Sequence, residues 1–209
     1  NFMVEPATSA SVGGSMNMTA TTAKLAMLVC PSDDSPRDAR NWAGSVYYGA
    51  TNYMGNMGGP GVLKVASGTI IPTSSAPTAS SYSNVAYGPV TIGSITDGTS
   101  NTGLLSERLV SSSGINNATN FAGVGANAKR AVYRAPTGST TDPSVIVQAC
   151  RSLPSGTAPV SSVPSGQTWI ANFTSWVVIN GYNHFGGPNQ LNCHNPSDTG
   201  SNASNSVYV

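Results

Sequence analysis

The apolar residues of this chain come in short runs, separated by clusters of glycine, proline, asparagine and serine. Runs such as "VTIGSI", "GLLSERLV", "RAVYRA", "SVIVQAC" and "SWVVING" have the length of strands and are short for helices. The 23 glycines and 14 prolines favour turns between them. We therefore expect an α+β fold that is mostly β, with an antiparallel sheet whose strands begin at about residue 68.

One segment has a different pattern. Residues 17–29, "NMTATTAKLAMLV", hold good helix formers after a capping Asn17 or Thr19, and Pro31 must end the helix. We expect one short helix near 19–29, within a single domain that spans 1–209. The stretches 72–89 and 151–168 are rich in serine, proline and threonine, which is typical of long surface loops.

The chain carries little charge. Charged residues make up 8% of it, against roughly 25% in an ordinary soluble protein. The net charge of +1 provides neither the positive field that binds nucleic acid nor a basic face for a membrane. Because cytosolic enzymes usually keep more charge for solubility, we expect an extracellular or cell-surface protein. Its export would depend on a segment ahead of Asn1.

Four sequons are compatible with that location and indicate surface positions. In a chain so rich in asparagine and threonine, several of them are expected by chance. The glycosylation candidates are Asn17, Asn117, Asn172 and Asn202.

Three cysteines, Cys30, Cys150 and Cys193, permit one disulfide and one remaining thiol. We favour the pair Cys150 and Cys193, because both lie in the C-terminal half beside loop-forming residues. Cys30 would then be buried, or paired with a group outside this sequence. Its place at a predicted helix C-terminus, where the dipole opposes thiolate formation, favours a structural role.

The sequence offers no recognisable catalytic site. It lacks a Gly-x-Ser-x-Gly nucleophile elbow, and "GVGANA" (123–128) matches a dinucleotide motif without the strand and acidic partner that the motif needs. His184 and His194, with Cys193, do not form a zinc-ligand pattern. We therefore predict that the protein is not an enzyme and has no metal or cofactor.

The acidic cluster of Asp33, Asp34 and Asp38 leaves a weak calcium site open as an alternative. We favour a solvated turn in which these carboxylates pair with Arg37 and Arg40. Further along, Glu107 and Arg108 alternate on one strand, so that one of them faces inward and needs a polar partner.

Four motifs occur in one order: "LVCPSD" (28–33), "TNYMGNMG" (51–58), "ITDGTSNTGLLSER" (95–108) and "YNHFGGPNQLNC" (182–193). They resemble elements of the planctomycete-type pilin-like family. Its members carry a prepilin cleavage and methylation segment before a domain of unknown function once filed with extracellular solute-binding proteins. The resemblance covers about 20–195. The residues that carry it are Cys30, Pro31, Asp33, Asn52, Tyr53, Gly55, Asn56, Asp97, Gly98, Thr99, Asn101 and Glu107.

The resemblance implies a pilin-like head, with a prepilin-type leader and pilin helix that lie outside this sequence. The expected function is that of a structural subunit of an extracellular filament or secretion pseudopilus, similar to type IV pilins and type II secretion pseudopilins. Its partners would be copies of itself, other pilins or surface glycans, and only the missing helix would contact a membrane. In "LVCPSDDSP" (28–36) we expect Cys30 to turn into the core and Asp33 to accept backbone N–H bonds within the turn.

The alternative is an extracellular carbohydrate- or solute-binding module. Sugar sites combine aromatic platforms with polar side chains, although such aromatics more often fill a β core. The candidate aromatics form two groups: Trp42, Tyr47, Tyr48 and Tyr53, and Trp169, Phe173 and Trp176.

Overall fold

The computed structural model describes residues 18–33, 41–43, 46–47, 49–59, 67–70, 90–110, 129–136, 142–154, 157, 166, 169, 181–194 and 206–207. Over these residues the fold is α+β, with strands predominating. The helices are α1 (Met18–Thr21) and α2 (Pro143–Arg151). The strands are β1 (Asn41–Ala43), β2 (Val46–Tyr47), β3 (Tyr53–Gly58), β4 (Leu105–Glu107), β5 (Val132–Arg134), β6 (Gly181–Asn183), β7 (Asn192–His194) and β8 (Ser206–Val207).

The described strands form three small sheets. β1 pairs with β2, a second sheet has the order β4-β3-β6, and a third has the order β5-β7-β8. The expectation of an antiparallel sheet is wrong in part, because β3 pairs with β6 and β5 with β7 in parallel. Alternation of apolar residues reports which face a side chain occupies but not the direction of the neighbouring strand, so the sequence pattern could not distinguish the two.

Strands also begin earlier than about residue 68, since β1 starts at Asn41. β3 has the sequence "YMGNMG", which is poor in strand formers. It is stabilised from both sides, by antiparallel pairing with β4 and parallel pairing with β6. Tertiary pairing thus outweighs a weak local preference.

The helix expected near 19–29 is interrupted. α1 ends at Thr21, and a separate 3-10 turn covers Ala26–Leu28. Two backbone carbonyls of this segment accept tertiary hydrogen bonds instead of helical ones. The Trp169 indole N–H donates to the Ala23 oxygen (2.9 Å), and the Asn52 N–H donates to the Leu28 oxygen (2.8 Å). These contacts hold the segment in a more extended path than its sequence favours.

Two segments that were expected to be strands are helical. "SVIVQAC" lies in α2, where the Asp142 carboxylate caps the start by accepting the Ser144 N–H (2.8 Å) and Pro143 occupies the first turn. "VTIGSI" contains a 3-10 turn at Ile92–Ser94. A short apolar run is compatible with either a strand or a buried helix. For α2, the capping residue Asp142 and Pro143 in the first turn favour the helix.

The main apolar core lies between α2 and the third sheet. Ile146, Val147 and Cys150 of α2 form one cluster with Tyr133 of β5, with Ala131 and Ala135 on either side of that strand, and with Cys193 of β7. The predicted disulfide is confirmed: Cys150 and Cys193 are bonded, with Cα atoms 5.9 Å apart, and join α2 to β7. Among the described helices, none is long and apolar enough to cross a membrane.

Candidate functional site

The first arrangement of polar residues is centred on the buried carboxylate of Asp33. Its Oδ1 accepts an ion pair from Arg130 Nη1 at 2.6 Å, and the two side chains are 2% and 6% exposed. Its Oδ2 accepts hydrogen bonds from Asn52 Nδ2 (2.6 Å) and from the Val110 N–H (3.0 Å). Arg130 also donates to the Val110 carbonyl at 3.2 Å. We call Asp33, Asn52, Arg108, Val110 and Arg130 the Asp33 hub.

Asn52 joins its own segment to two others, those of Cys30 and Arg108. Its side-chain Oδ1 accepts the Cys30 N–H (2.9 Å), while Nδ2 also donates to the Arg108 carbonyl (2.8 Å). In the main chain its carbonyl accepts the Arg108 N–H at 2.7 Å. The Cys-Pro-Ser-Asp and Asn-Tyr motifs therefore share a structural role, because their polar groups satisfy one another in the interior.

This geometry corrects the interpretation of the acidic cluster. Asp33 is buried and not in a solvated turn, and Arg130 is its cation. Both carboxylate oxygens are occupied by protein donors, which argues against a calcium ligand at this residue. Asp33 accepts a backbone N–H as expected, but from Val110 and not from its own turn. The other members of the cluster, Asp34, Arg37, Asp38 and Arg40, lie outside the described residues.

No sequence pattern indicated Arg130 as the partner of Asp33. A buried carboxylate requires a cation, yet the nearest candidates along the chain were Arg37 and Arg40. The expectation for Glu107 and Arg108 fits the structure better, since Glu107 is exposed and Arg108 is buried in the hub. Cys30 is half-buried at the margin of the hub and does not lie in the core. Its backbone N–H donates to Asn52 Oδ1, and this bond holds the end of the segment in an extended conformation.

The second arrangement begins with the "TDGTSNT" loop. Gly98 has φ 91°, a value that favours glycine, and the chain then forms a 3-10 turn at Thr99–Asn101. The Thr102 hydroxyl lies within hydrogen-bond distance of the Gly98 carbonyl (3.0 Å) and of Asp97 Oδ1 (3.3 Å). Asn101 Nδ2 donates to the Asp97 carbonyl at 3.1 Å. The loop is thus held by its own side chains.

Asn56 of β3 connects this loop to the sheet. Its Nδ2 donates to the Gly103 carbonyl (2.8 Å), and its Oδ1 accepts the Gly58 N–H (3.0 Å). On the other side of β3, β6 carries Tyr182 and leads to His184, whose N–H donates to the Gly58 carbonyl at 2.7 Å. Asn56 therefore fixes the loop relative to the end of β6.

His184 is exposed, but it is held in place. Its ring meets the Tyr182 ring edge to face, with centroids 5.8 Å apart. Gly59 has φ 125° and passes so close that a Cβ there would collide with the His184 carbonyl oxygen. Tyr182 is buried, and burial raises the pKa of its phenol above the usual value.

Two clefts meet at His184, and we call them together the His184 groove. The first cleft, of about 310 Å³, is lined by Asn56, Gly59, Ser67, Gly68, Thr69, Val90, Ser94, Ile95, Thr96, Asp97, Asn101, Thr102, Gly103 and His184. The second, of about 380 Å³, is lined by Ser106, Glu107, Tyr182, His184, Gly186, Gly187, Pro188 and Asn189. Both clefts are open, and polar side chains make up much of their walls.

The remaining sequence candidates are not brought together at this groove. Tyr53 is half-buried on β3, and Trp169 is half-buried beside Ala23, to which its indole donates. Cys193 is in the disulfide, and within the described part of the chain no group of three or more His, Cys, Asp or Glu residues could hold a metal ion. Several candidates have side chains outside the described residues: Asn17, Trp42, Tyr47, Tyr48, Asn117, Asn172, Phe173, Trp176 and Asn202.

Comparison with known proteins gives one match. A family model with the short name SBP_bac_10, described as protein of unknown function (DUF1559), matches residues 4–207. The chain belongs to this family. It is the family of the domain of unknown function that the four motifs resemble, whereas the pilin-like interpretation stays a prediction. No curated protein and no solved structure matches the chain significantly.

Proposed function

We propose that this DUF1559 chain is the exposed head of a pilin- or pseudopilin-like subunit that assembles into an extracellular filament. It would act by repetition of one interface and not by chemistry. The observation that carries the proposal is an exposed apolar patch together with a separate apolar cleft on the same head.

The β4 patch consists of Ile70 and Leu105, which are 42% and 51% exposed, whereas Leu104 (56% exposed) precedes Leu105 and faces the other side of the strand. Leu105 pairs with Gly55 across the sheet, so a side chain at Gly55 would point to the same face as Leu105. Ile70 occupies that space, with its Cγ2 2.9 Å from where a Gly55 Cβ would be. Ile70 and Leu105 therefore form one apolar surface on the outer face of the sheet.

β4 is also an edge strand, since among the described residues it pairs only with β3. The Asn56 N–H donates to the Leu104 carbonyl and the Arg108 N–H to the Asn52 carbonyl. In this antiparallel pattern the N–H and C=O groups of Leu105 and Glu107 point away from β3. A strand edge that presents outward-pointing N–H and C=O groups beside apolar side chains is well suited to contact with another chain.

The apolar cleft lies on the segment that follows α1. Leu25, Ala26, Val29 and Ala50, with the stem of Lys24, enclose about 170 Å³. A dry protein cavity of about 150 Å³ accepts benzene, so this cleft has room for the four-carbon side chain of leucine. Its occupant in the proposal is Leu105 from a second copy.

A patch and a receiving cleft at different places on one molecule form a head-to-tail contact. Such a contact does not close on itself unless the rotation between copies closes a ring, so it generates an open helical filament. The charge content of 8% and net charge of +1 leave little repulsion between neighbouring heads. The disulfide between Cys150 and Cys193 is compatible with an oxidising location outside the cytoplasm.

The test uses protein expressed from its natural gene and collected from the cell surface or medium. We expect thin fibres in negative-stain electron microscopy. Burying the exposed half of Leu105 contributes about 1 kcal/mol, so Leu105→Lys should raise the concentration needed for assembly at least about five-fold. Val145→Ser, which alters an exposed apolar residue on α2, is the matched control.

Two results would refute the proposal. One is a wild-type protein that remains monomeric at concentrations where filaments of this kind form. The other is assembly of the Leu105→Lys variant at the same concentration as the Val145→Ser control. A defect in Leu25→Asp, which places a charge in the cleft, would identify the receiving surface.

A further inference from the structure

We infer that the His184 groove binds a neutral saccharide. The inference does not depend on filament assembly, because neither Leu104 nor Leu105 lines the groove. It rests on three properties of the groove: the segments that build it, the chemistry of its walls, and the rigidity of the residues at its centre.

Three of the four sequence motifs supply the walls. Asn56 comes from "NYMGN", Asp97 and Asn101 from "TDGTSNT", and Tyr182 and His184 from "YNHFGGPNQ". These segments are far apart in the chain, and only the pairing of β3 with β4 and β6 brings them together. The fourth motif, "CPSD", lies in the Asp33 hub, where its polar groups are used internally. The His184 groove is thus where the remaining motifs reach the surface.

The walls are suited to hydroxyl groups. Amide and hydroxyl side chains such as Thr69, Ser106 and Asn189 can both donate and accept hydrogen bonds, as sugar hydroxyls do. Asp97 lines one cleft and Glu107 the other, and a carboxylate accepts two hydrogen bonds from neighbouring hydroxyls. Among the described lining residues there is no lysine or arginine. The charges therefore favour a neutral ligand over an anionic one.

The centre of the groove is held before any ligand arrives. The His184 N–H bonds to the Gly58 carbonyl, and its ring rests edge to face on the buried Tyr182. Asn189 sits in the left-handed region at φ 65°, and its Oδ1 is 3.4 Å from Lys129 Nζ. A site whose polar groups are already ordered loses less entropy when it binds.

The dimensions favour more than one sugar ring. Each cleft is near the lower end of the range of small-molecule sites, which is about 300–1,000 Å³. His184 lies at the junction, where its ring can contact the apolar face of a sugar. Two joined clefts predict that a disaccharide binds more tightly than either of its monosaccharides.

The experiment is an NMR titration of isotope-labelled protein at low concentration. The probes are glucose, N-acetylglucosamine, cellobiose and chitobiose, with glucuronic acid as an anionic comparison, each up to the millimolar range. We expect saturable shifts at groove residues for at least one neutral sugar, and weaker binding of glucuronic acid. Glu107→Gln removes a charged hydrogen-bond acceptor from the wall, and His184→Ala removes the ring at the junction of the two clefts. Each change should weaken sugar binding about ten-fold.

Both variants change exposed side chains, so the dispersion of their spectra should match the wild type. Val145→Ser on α2 should bind as the wild type does. The inference is overturned if none of the neutral probes gives saturable shifts, or if the shifts map to residues away from the groove. Unchanged affinity in both groove variants, or tighter binding of glucuronic acid than of glucose, would equally reject it.

Discussion

Replacing Asp33 by asparagine tests whether the Asp33 hub holds the fold together. The substitution keeps the size and one acceptor oxygen of the side chain but removes its charge. Arg130 Nη1, which lies 2.6 Å from the carboxylate, would then face a neutral amide while its side chain stays 6% exposed. If the amide oxygen keeps the two bonds that Oδ2 accepts, from Asn52 Nδ2 and the Val110 N–H, the amide NH2 is left facing Arg130 Nη1.

The magnitude follows from burial. Removing one partner of a buried ion pair costs about 3–5 kcal/mol, because the other charge is left without compensation in the interior. For a chain of this size, that loss corresponds to a fall of roughly 6–20 °C in the melting temperature. Glu107→Gln, the same kind of change at an exposed carboxylate, should alter stability by less than about 0.5 kcal/mol.

The assay is urea unfolding followed by tryptophan fluorescence, with Asp33→Asn, Arg130→Gln and the double variant measured together. The double variant should lose less than the sum of the single losses by about 1 kcal/mol or more, since it removes both charges of the Asp33–Arg130 pair together. The reasoning is refuted if Asp33→Asn loses less than about 1 kcal/mol, or if the two single losses simply add.

Two further predictions concern the second half of the chain. Replacing Cys150 and Cys193 by serine should cost about 4 kcal/mol, since the cross-link spans 43 residues, and thermal unfolding with and without reductant would measure it. Burial raises the pKa of Tyr133 and of Tyr182 above 10.0, so their contribution to stability is complete below that pH and is lost as the pH rises through their folded values. Urea midpoints at increasing pH should therefore fall in the alkaline range, and Tyr133→Phe should reduce the slope; a midpoint independent of pH would contradict this.

Local chemistry in the sequence was sufficient for several features. The positions of Cys150 and Cys193 predicted the disulfide, and alternation on β4 predicted that either Glu107 or Arg108 faces inward. The order of the four motifs indicated the family. These features depend on neighbouring residues or on residue type, which the linear sequence displays directly.

The tertiary structure decided the rest. Arg130 is the ion-pair partner of Asp33, and β3 pairs with β6 in parallel. The residues next to these positions in the chain do not predict either pairing. "SVIVQAC" became a helix because Asp142 and Pro143 begin it and the core accepts its apolar face. The His184 groove likewise exists only after β3, β4 and β6 have met. Free energies of pairing and burial depend on which segments come into contact, and local propensity carries no information about that choice.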